Sequence, residues 1–194
     1  MTREEWLNMA VCELRPLYEP EYKIPDVKVS IGFPSKGGLS KRRVLGVCWK
    51  AEAATDRIAQ VYINPTITEI QGANGLLSVL AHELVHAAGI SGHGKEFAKC
   101  GHKIGLEGKM ASSTANSELQ SYFERIEKNI GKCPHAPLIP SNIMSGNQKP
   151  DKCRIHKCEC QECGYNVRVA AKWLEMAMPV CPICNKEMKK EIKI

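Results

Sequence analysis

The pentapeptide His82-Glu83-Leu84-Val85-His86 restricts this chain more than any other segment, because its chemistry makes sense only on a helix. Residues four apart lie one turn above the other on the same helical face, so His82 and His86 can aim two imidazole nitrogens at one point. Glu83 stands one position round from that face, within reach of a water held there and badly placed to be a ligand itself. Two histidines and a glutamate in this HExxH arrangement are what a zinc hydrolase uses, the histidines as ligands and the glutamate as general base. A catalytic zinc takes a third protein ligand and keeps one position open for water. Gly89 is suited to end the helix in a left-handed cap. A chain that reverses there brings His93, in Gly92-His93-Gly94, back over the same metal. His93 is therefore the expected third ligand, with His102 in reserve on the next helix.

The neighbouring pattern agrees with a helix. Leu76, Leu77, Leu80, Leu84, Ala87 and Ala88 recur at helical spacing, and Asn74 is the expected N-cap. Upstream, Trp6, Leu7, Ala10, Val11 and Leu14 predict an amphipathic helix over 4–15, which Pro16 and Pro20 interrupt. Val27, Val29 and Ile31 alternate with Lys28 and Ser30 as in a half-buried strand, and residues 44–49 and 58–63 predict two more. Downstream, a helix over 95–104 turns Phe97 inward. Another over 118–130, capped by Ser117 or Asn116, carries Leu119, Tyr122, Phe123, Ile126 and Ile130 on one side. The expected fold class is α+β, a three-stranded sheet beside the metal helix.

A second metal site is written into the C-terminal third. Cys160-Gln161-Glu162-Cys163 and Cys181-Pro182-Ile183-Cys184 are two CxxC pairs with 17 residues, 164 to 180, between them. That spacing suits a four-cysteine structural zinc site, with Gly164 supporting the first turn and residues 165–169 alternating like the strand of a zinc ribbon. About thirty residues cannot bury enough apolar surface alone, so the metal would supply the folding energy. Cys153, His156 and Cys158 lie just upstream; one of them could replace Cys160, or the three could build another site, although two complete knuckles already satisfy a tetrahedral zinc. Cys12, Cys48 and Cys100 are expected as small buried hydrophobes, and Cys133 and His135 as loop or packing residues. The expected organisation is a metalloprotease domain over 1–131, a Pro/Ser/Asn/Gly-rich linker over 132–156 and a ribbon over 157–194.

Charge and composition narrow the setting. Residues 1–131 hold 16 Lys+Arg against 15 Asp+Glu, whereas residues 132–194 hold 11 against 6, so five of the six net positive charges lie in the tail. Four thiolates and one zinc would remove two of them. The remainder suits a solvated surface as well as nucleic acid. No window approaches eighteen consecutive apolar residues, which predicts no membrane partner. Met1-Thr2-Arg3-Glu4-Glu5 does not begin a secretory signal, and ten cysteines without one argue for reduced, metal-binding thiols in a cytoplasmic protein.

The run 82–97, HELVHAAGISGHGKEF, with an upstream strand ending Tyr62-Ile63-Asn64-Pro65 and a downstream four-cysteine ribbon, resembles the SprT-like zinc metalloprotease family. The resemblance implies a zincin-like fold, with His82, His86 and His93 holding a catalytic zinc, Glu83 as base, and Cys160, Cys163, Cys181 and Cys184 holding a structural zinc. It also implies a protein substrate. That family includes the Spartan proteases, which digest proteins trapped on DNA, so DNA becomes a candidate partner. The stretch from His86 to His93 is shorter than in its best-known members. Ser141-Asn142-Ile143-Met144-Ser145-Gly146 resembles the Met-turn of metzincins, whose HExxHxxGxxH signature would need the third histidine one residue earlier.

Three functions follow as expectations. The first is a zinc endopeptidase in which Glu83 activates water, with Tyr62 as a guess for the oxyanion donor. The second is a DNA-binding module with an inactive protease-like domain, using the basic tail with Trp173 and Tyr165 as stacking residues. Against it stands the simpler expectation that both rings cover the ribbon's small core. The third makes the ribbon a protein-docking element.

Overall fold

In a computed structural model, which describes residues 1–141 and 155–190, the chain is mixed α+β. It divides into two compact units, Met1–Pro140 and Ser141–Ile194. No described helix is long and apolar enough to cross a membrane.

The first unit begins with α1 (Arg3–Leu14). Thr2 accepts from the Glu5 amide at 3.1 Å while the Glu5 carboxylate accepts from the Thr2 amide at 2.7 Å. This reciprocal box satisfies two amides that a helix start leaves without partners. The predicted stripe is the buried face: Trp6, Leu7, Ala10, Val11 and Leu14 are all in the core. Cys12 falls outside that stripe and is exposed, contrary to expectation; Cys48 is half-buried and Cys100 is buried.

Strands β1 (Val27–Ile31), β2 (Gly46–Trp49) and β3 (Ala59–Ile63) form a sheet in the order β1-β3-β2. The β1–β3 pair is parallel, with Val29 opposite Val61, and the β2–β3 pair is antiparallel, with Cys48 opposite Val61. Central β3 buries Ala59, Val61 and Ile63 and leaves Gln60 and Tyr62 half-buried on the other face, as period-two alternation requires. Within this sheet, β2 has a strand neighbour on one side only. Helices α2 (Leu76–Ala87) and α3 (Lys95–Ile104) follow. A two-stranded ladder, β4 (Leu106–Glu107) with β5 (Thr114–Ala115), then leads to α4 (Ser117–Ile130). The α4 cap is Asn116, whose side chain accepts from the Leu119 amide at 2.9 Å.

Helix α2 starts at Gly75 rather than at the expected Asn74, and no side chain caps it. The reason lies in the preceding loop. The Leu76 and Leu77 amides donate to the Glu69 and Ile70 carbonyls at 2.9 and 3.0 Å, so the start is satisfied by backbone. A Cβ at position 75 would stand 2.2 Å from the Gln71 carbonyl oxygen, so only glycine fits. Residues 132–140 belong to the first unit rather than to a linker: Leu138 donates its amide to the Pro65 carbonyl at 2.8 Å, and His135 Nε2 donates to Ile67 O at 3.0 Å. The resemblance to a Met-turn falls on residues 142–146, outside the described residues.

The second unit pairs β6 (Ile155–Glu159) with β7 (Asn166–Ala170) and with the short β8 (Lys189–Lys190), both antiparallel. Its core is small: Cys158, Cys160, Cys181 and Met188, with Val167, Val169, Leu174 and Met178 against them.

Asn64, fully buried at the end of β3, ties the loop before β2 to the sheet. Its Nδ2 donates to the Gly38 and Val44 carbonyls, both at 2.8 Å, and its Oδ1 accepts from the Thr66 amide and hydroxyl. Removing the amide strands two carbonyls and frees the loop. Asn64→Ala should destabilise the protein by about 2–4 kcal/mol in urea titration. Limited trypsinolysis should then cut first in the Lys41-Arg42-Arg43 segment.

Candidate metal centres

The buried helix α2 presents His82 and His86 at its surface, and the turn after it returns His93. Gly89, at φ 93°, ends the helix in the left-handed region, and Gly92, at φ 65°, completes the reversal. The three Nε2 atoms converge: His93 Nε2 lies 3.0 Å from that of His82 and 3.3 Å from that of His86. Nitrogens about 2.0–2.1 Å from a tetrahedral zinc stand about 3.3 Å apart, so the triangle has the size of one face of such a site. Phe97, with no exposed surface, floors it, its ring centroid 4.8 Å from each imidazole.

The opposite ring nitrogens of His82 and His86 are engaged. His86 Nδ1 faces the Ile90 carbonyl at 2.9 Å and must be protonated to donate to it, which leaves Nε2 with a lone pair directed at the common point. His82 Nδ1 lies 2.9 Å from Ser113 Oγ. Such outer contacts fix the tautomer and orientation of a ligating imidazole. Burial, reinforced by His86 and His93, pushes His82 down to about 3, so it is neutral at ordinary pH. His93 is lowered as well, by burial and then by His86.

Glu83 is buried beside the triad. Burial raises its carboxyl to about 7, an effect that the Cys48 backbone opposes. Its position depends on Gly46 in β2, where a Cβ would lie 2.7 Å from Glu83 Oε1 and 2.7 Å from Val79 Cγ1. Ser113 and Gly46 were not singled out from the sequence. Nothing in the sequence distinguishes Ser113, but a glycine inside the predicted strand 44–49 is a recognisable sign of close approach. The site opens into a cleft of about 560 Å³ between β2 on one side and α2 with the 90–93 turn on the other.

Two expected alternatives lie elsewhere. His102 Nδ1 is bonded to the Leu106 carbonyl at 3.1 Å and is absent from the triad. The Tyr62 hydroxyl donates to Gln60 Oε1 at 2.8 Å, and Tyr62 does not line the cleft, because the alternation of β3 sends it to the other face of the sheet.

In the second unit, Cys160, Cys163, Cys181 and Cys184 bring their sulfurs together, all within 4.8 Å, and could hold a metal ion. The Cys163 and Cys181 sulfurs are 3.5 Å apart, near the roughly 3.8 Å edge of a tetrahedron with about 2.3 Å metal–sulfur bonds. The two knuckles share one construction. Gly164 and Asn185, each four residues past the first cysteine, adopt φ 73° and 54° and return their amides to the Cys160 and Cys181 carbonyls. The backbones of Cys163 and Glu162 lower the Cys160 thiol to about 7. Cys158 lies in the ribbon core and His156 is half-buried on β6, both outside the four-sulfur group; Cys153 lies outside the described residues.

The ring residues of the ribbon depart from the simpler expectation. Trp173 is 54% exposed, with Lys172 Nζ 4.8 Å over its ring, and Tyr165 is 37% exposed. Neither covers the core, because Val167, Val169, Leu174 and Met178 already do. No protein-family model, curated protein or solved structure matches the chain.

Purified protein should contain two zinc ions per chain by elemental analysis. His93→Ala should remove one and Cys181→Ser the other. Chelation should unfold the ribbon while leaving most of the helical circular dichroism, because the first unit has its own apolar core.

Proposed function

We propose that the first unit is a zinc-dependent peptide hydrolase of the SprT-like, zincin type. The observation that carries this reading is the convergence of three Nε2 atoms beside a buried carboxyl group, in a cleft bordered by a strand edge. His82, His86 and His93 would hold the metal, and their neutral imidazoles leave its full charge available. When bound, zinc supplies Lewis-acid polarisation of the scissile carbonyl and a lowered pKa for the attacking water. Glu83 takes the water's proton and returns it to the leaving amine, a role suited to a group whose burial brings it near neutrality.

The edge of β2 gives the substrate a binding mode. Asn64 donates its amide to Leu45 O, so by antiparallel alternation the backbone of Leu45, Val47 and Trp49 faces β3. The backbone of Gly46 and Cys48 then faces away from it. An extended peptide can add there as a further strand, its carbonyls delivered beside Glu83. Ser113 and Gly46 act as positioning residues, the first through His82 and the second through Glu83.

A second reading attaches to the ribbon, whose four-cysteine site we assign to structural zinc. Exposed Trp173 and Tyr165, with Arg168 and Lys172 nearby in sequence, favour stacking on single-stranded nucleic acid. The protein would then act on DNA-associated substrates.

Glu83→Gln should retain both zinc ions and lose all measurable cleavage of an unfolded protein substrate. Undiminished cleavage would exclude the mechanism. Gly46→Ala should also keep its metal and lower kcat/KM by about 100-fold, since it displaces the base by an ångström or so.

A further inference from the structure

The cleft walls carry charge of one sign. Apart from Glu83, which is buried at the base, the charged residues lining the cleft are Arg43 and Lys50. They stand on either side of β2, three residues before Gly46 and two after Cys48. Both are exposed, and neither forms an ion pair among the described residues. Lys50 Nζ donates to Ser91 Oγ at 2.5 Å across the mouth of the cleft, a neutral contact that leaves its charge uncompensated. Among the described residues the Arg43 guanidinium has no hydrogen-bond partner, and Lys41 and Arg42, both exposed, precede it. The Asn64 hydrogen bonds to Gly38 and Val44 hold this basic segment against the sheet rather than leaving it to wander.

We infer that the cleft selects extended peptides with acidic side chains on both sides of the bond to be cleaved. Seven positions separate Arg43 from Lys50, an extended span on the order of 20 Å. A peptide lying along β2 would therefore meet a positive charge two to four residues to either side of the carbonyl placed beside Glu83. This inference rests on the peptide-hydrolase reading and deepens it by giving that substrate a charge pattern. The cations lie along the peptide track itself, which favours a peptide carboxylate over a nucleic-acid phosphate as their partner.

The test uses zinc-loaded full-length Glu83→Gln protein and three fluorescein-labelled decapeptides. These carry Asp, Asn or Lys three positions to each side of a central Ala-Leu pair and are otherwise identical. By anisotropy the Asp peptide should bind about 5-fold or more tighter than the Asn peptide, and the Lys peptide should bind weakest. The preference should shrink as salt rises. Adding Arg43→Glu and Lys50→Glu should invert the order, with zinc content and thermal midpoint unchanged. Equal affinities, no binding of any peptide, or a preference that survives the double reversal would overturn the inference. So would a double reversal that weakens binding of a single-stranded oligonucleotide while leaving the peptide order intact. Wild-type hydrolysis separates the two proposals. Charge-selective binding without cleavage defeats the hydrolase reading alone, and cleavage indifferent to flanking charge defeats this inference alone.

Discussion

The burial of α2 is the constraint on which the candidate site depends. Nine of its twelve residues are buried, so the helix is held on nearly every side and cannot rotate. Each of Leu76, Leu77, Leu80 and Leu84 contributes about 1.5–3 kcal/mol by leaving water, and together they fix the angle at which His82 and His86 leave the helix. Phe97 then serves the core and the site at once. It packs from α3 under all three imidazoles and so links the return of the chain at His93 to the apolar interior. A preorganised triad is costly in the absence of metal, because three imidazoles are crowded together. Burial first, and then that crowding, hold His82 and His93 below the usual imidazole range.

The sheet contributes through its edge. Gly46 removes a side chain where β2 meets α2, and Glu83 occupies the space. One strand therefore supplies room for the Glu83 carboxyl group, a nearby Cys48 amide that opposes the effect of its burial, and the adjacent edge backbone. Asn64 stabilises this arrangement from the end of β3 that pairs with Gly46. The ribbon follows a different logic. Its core is a few side chains beside four sulfurs, and matched left-handed residues at Gly164 and Asn185 shape the two knuckles.

The periodic helices, the three strands and both groups of side chains that could hold a metal were legible in the sequence because each is a local signal. A stripe at 3.6 residues, an alternation of two, an HExxH spacing and two CxxC turns all act within a few residues of chain. The errors fall where distant chain decides. Asn74 has the right chemistry for a cap, yet the Glu69 and Ile70 carbonyls had already satisfied the helix start. Trp173 and Tyr165 were expected to cover a core that smaller apolar residues fill.

By itself, then, the sequence determined which residues can donate to metal and which helix must carry them, since spacing along a helix or a tight turn settles that. Only the tertiary structure decided that His93 rather than His102 joins the pair, that Ser113 orients His82, that Gly46 makes room for Glu83, and that two cations border the same cleft. These depend on contacts between residues tens of positions apart, and no local periodicity encodes such contacts.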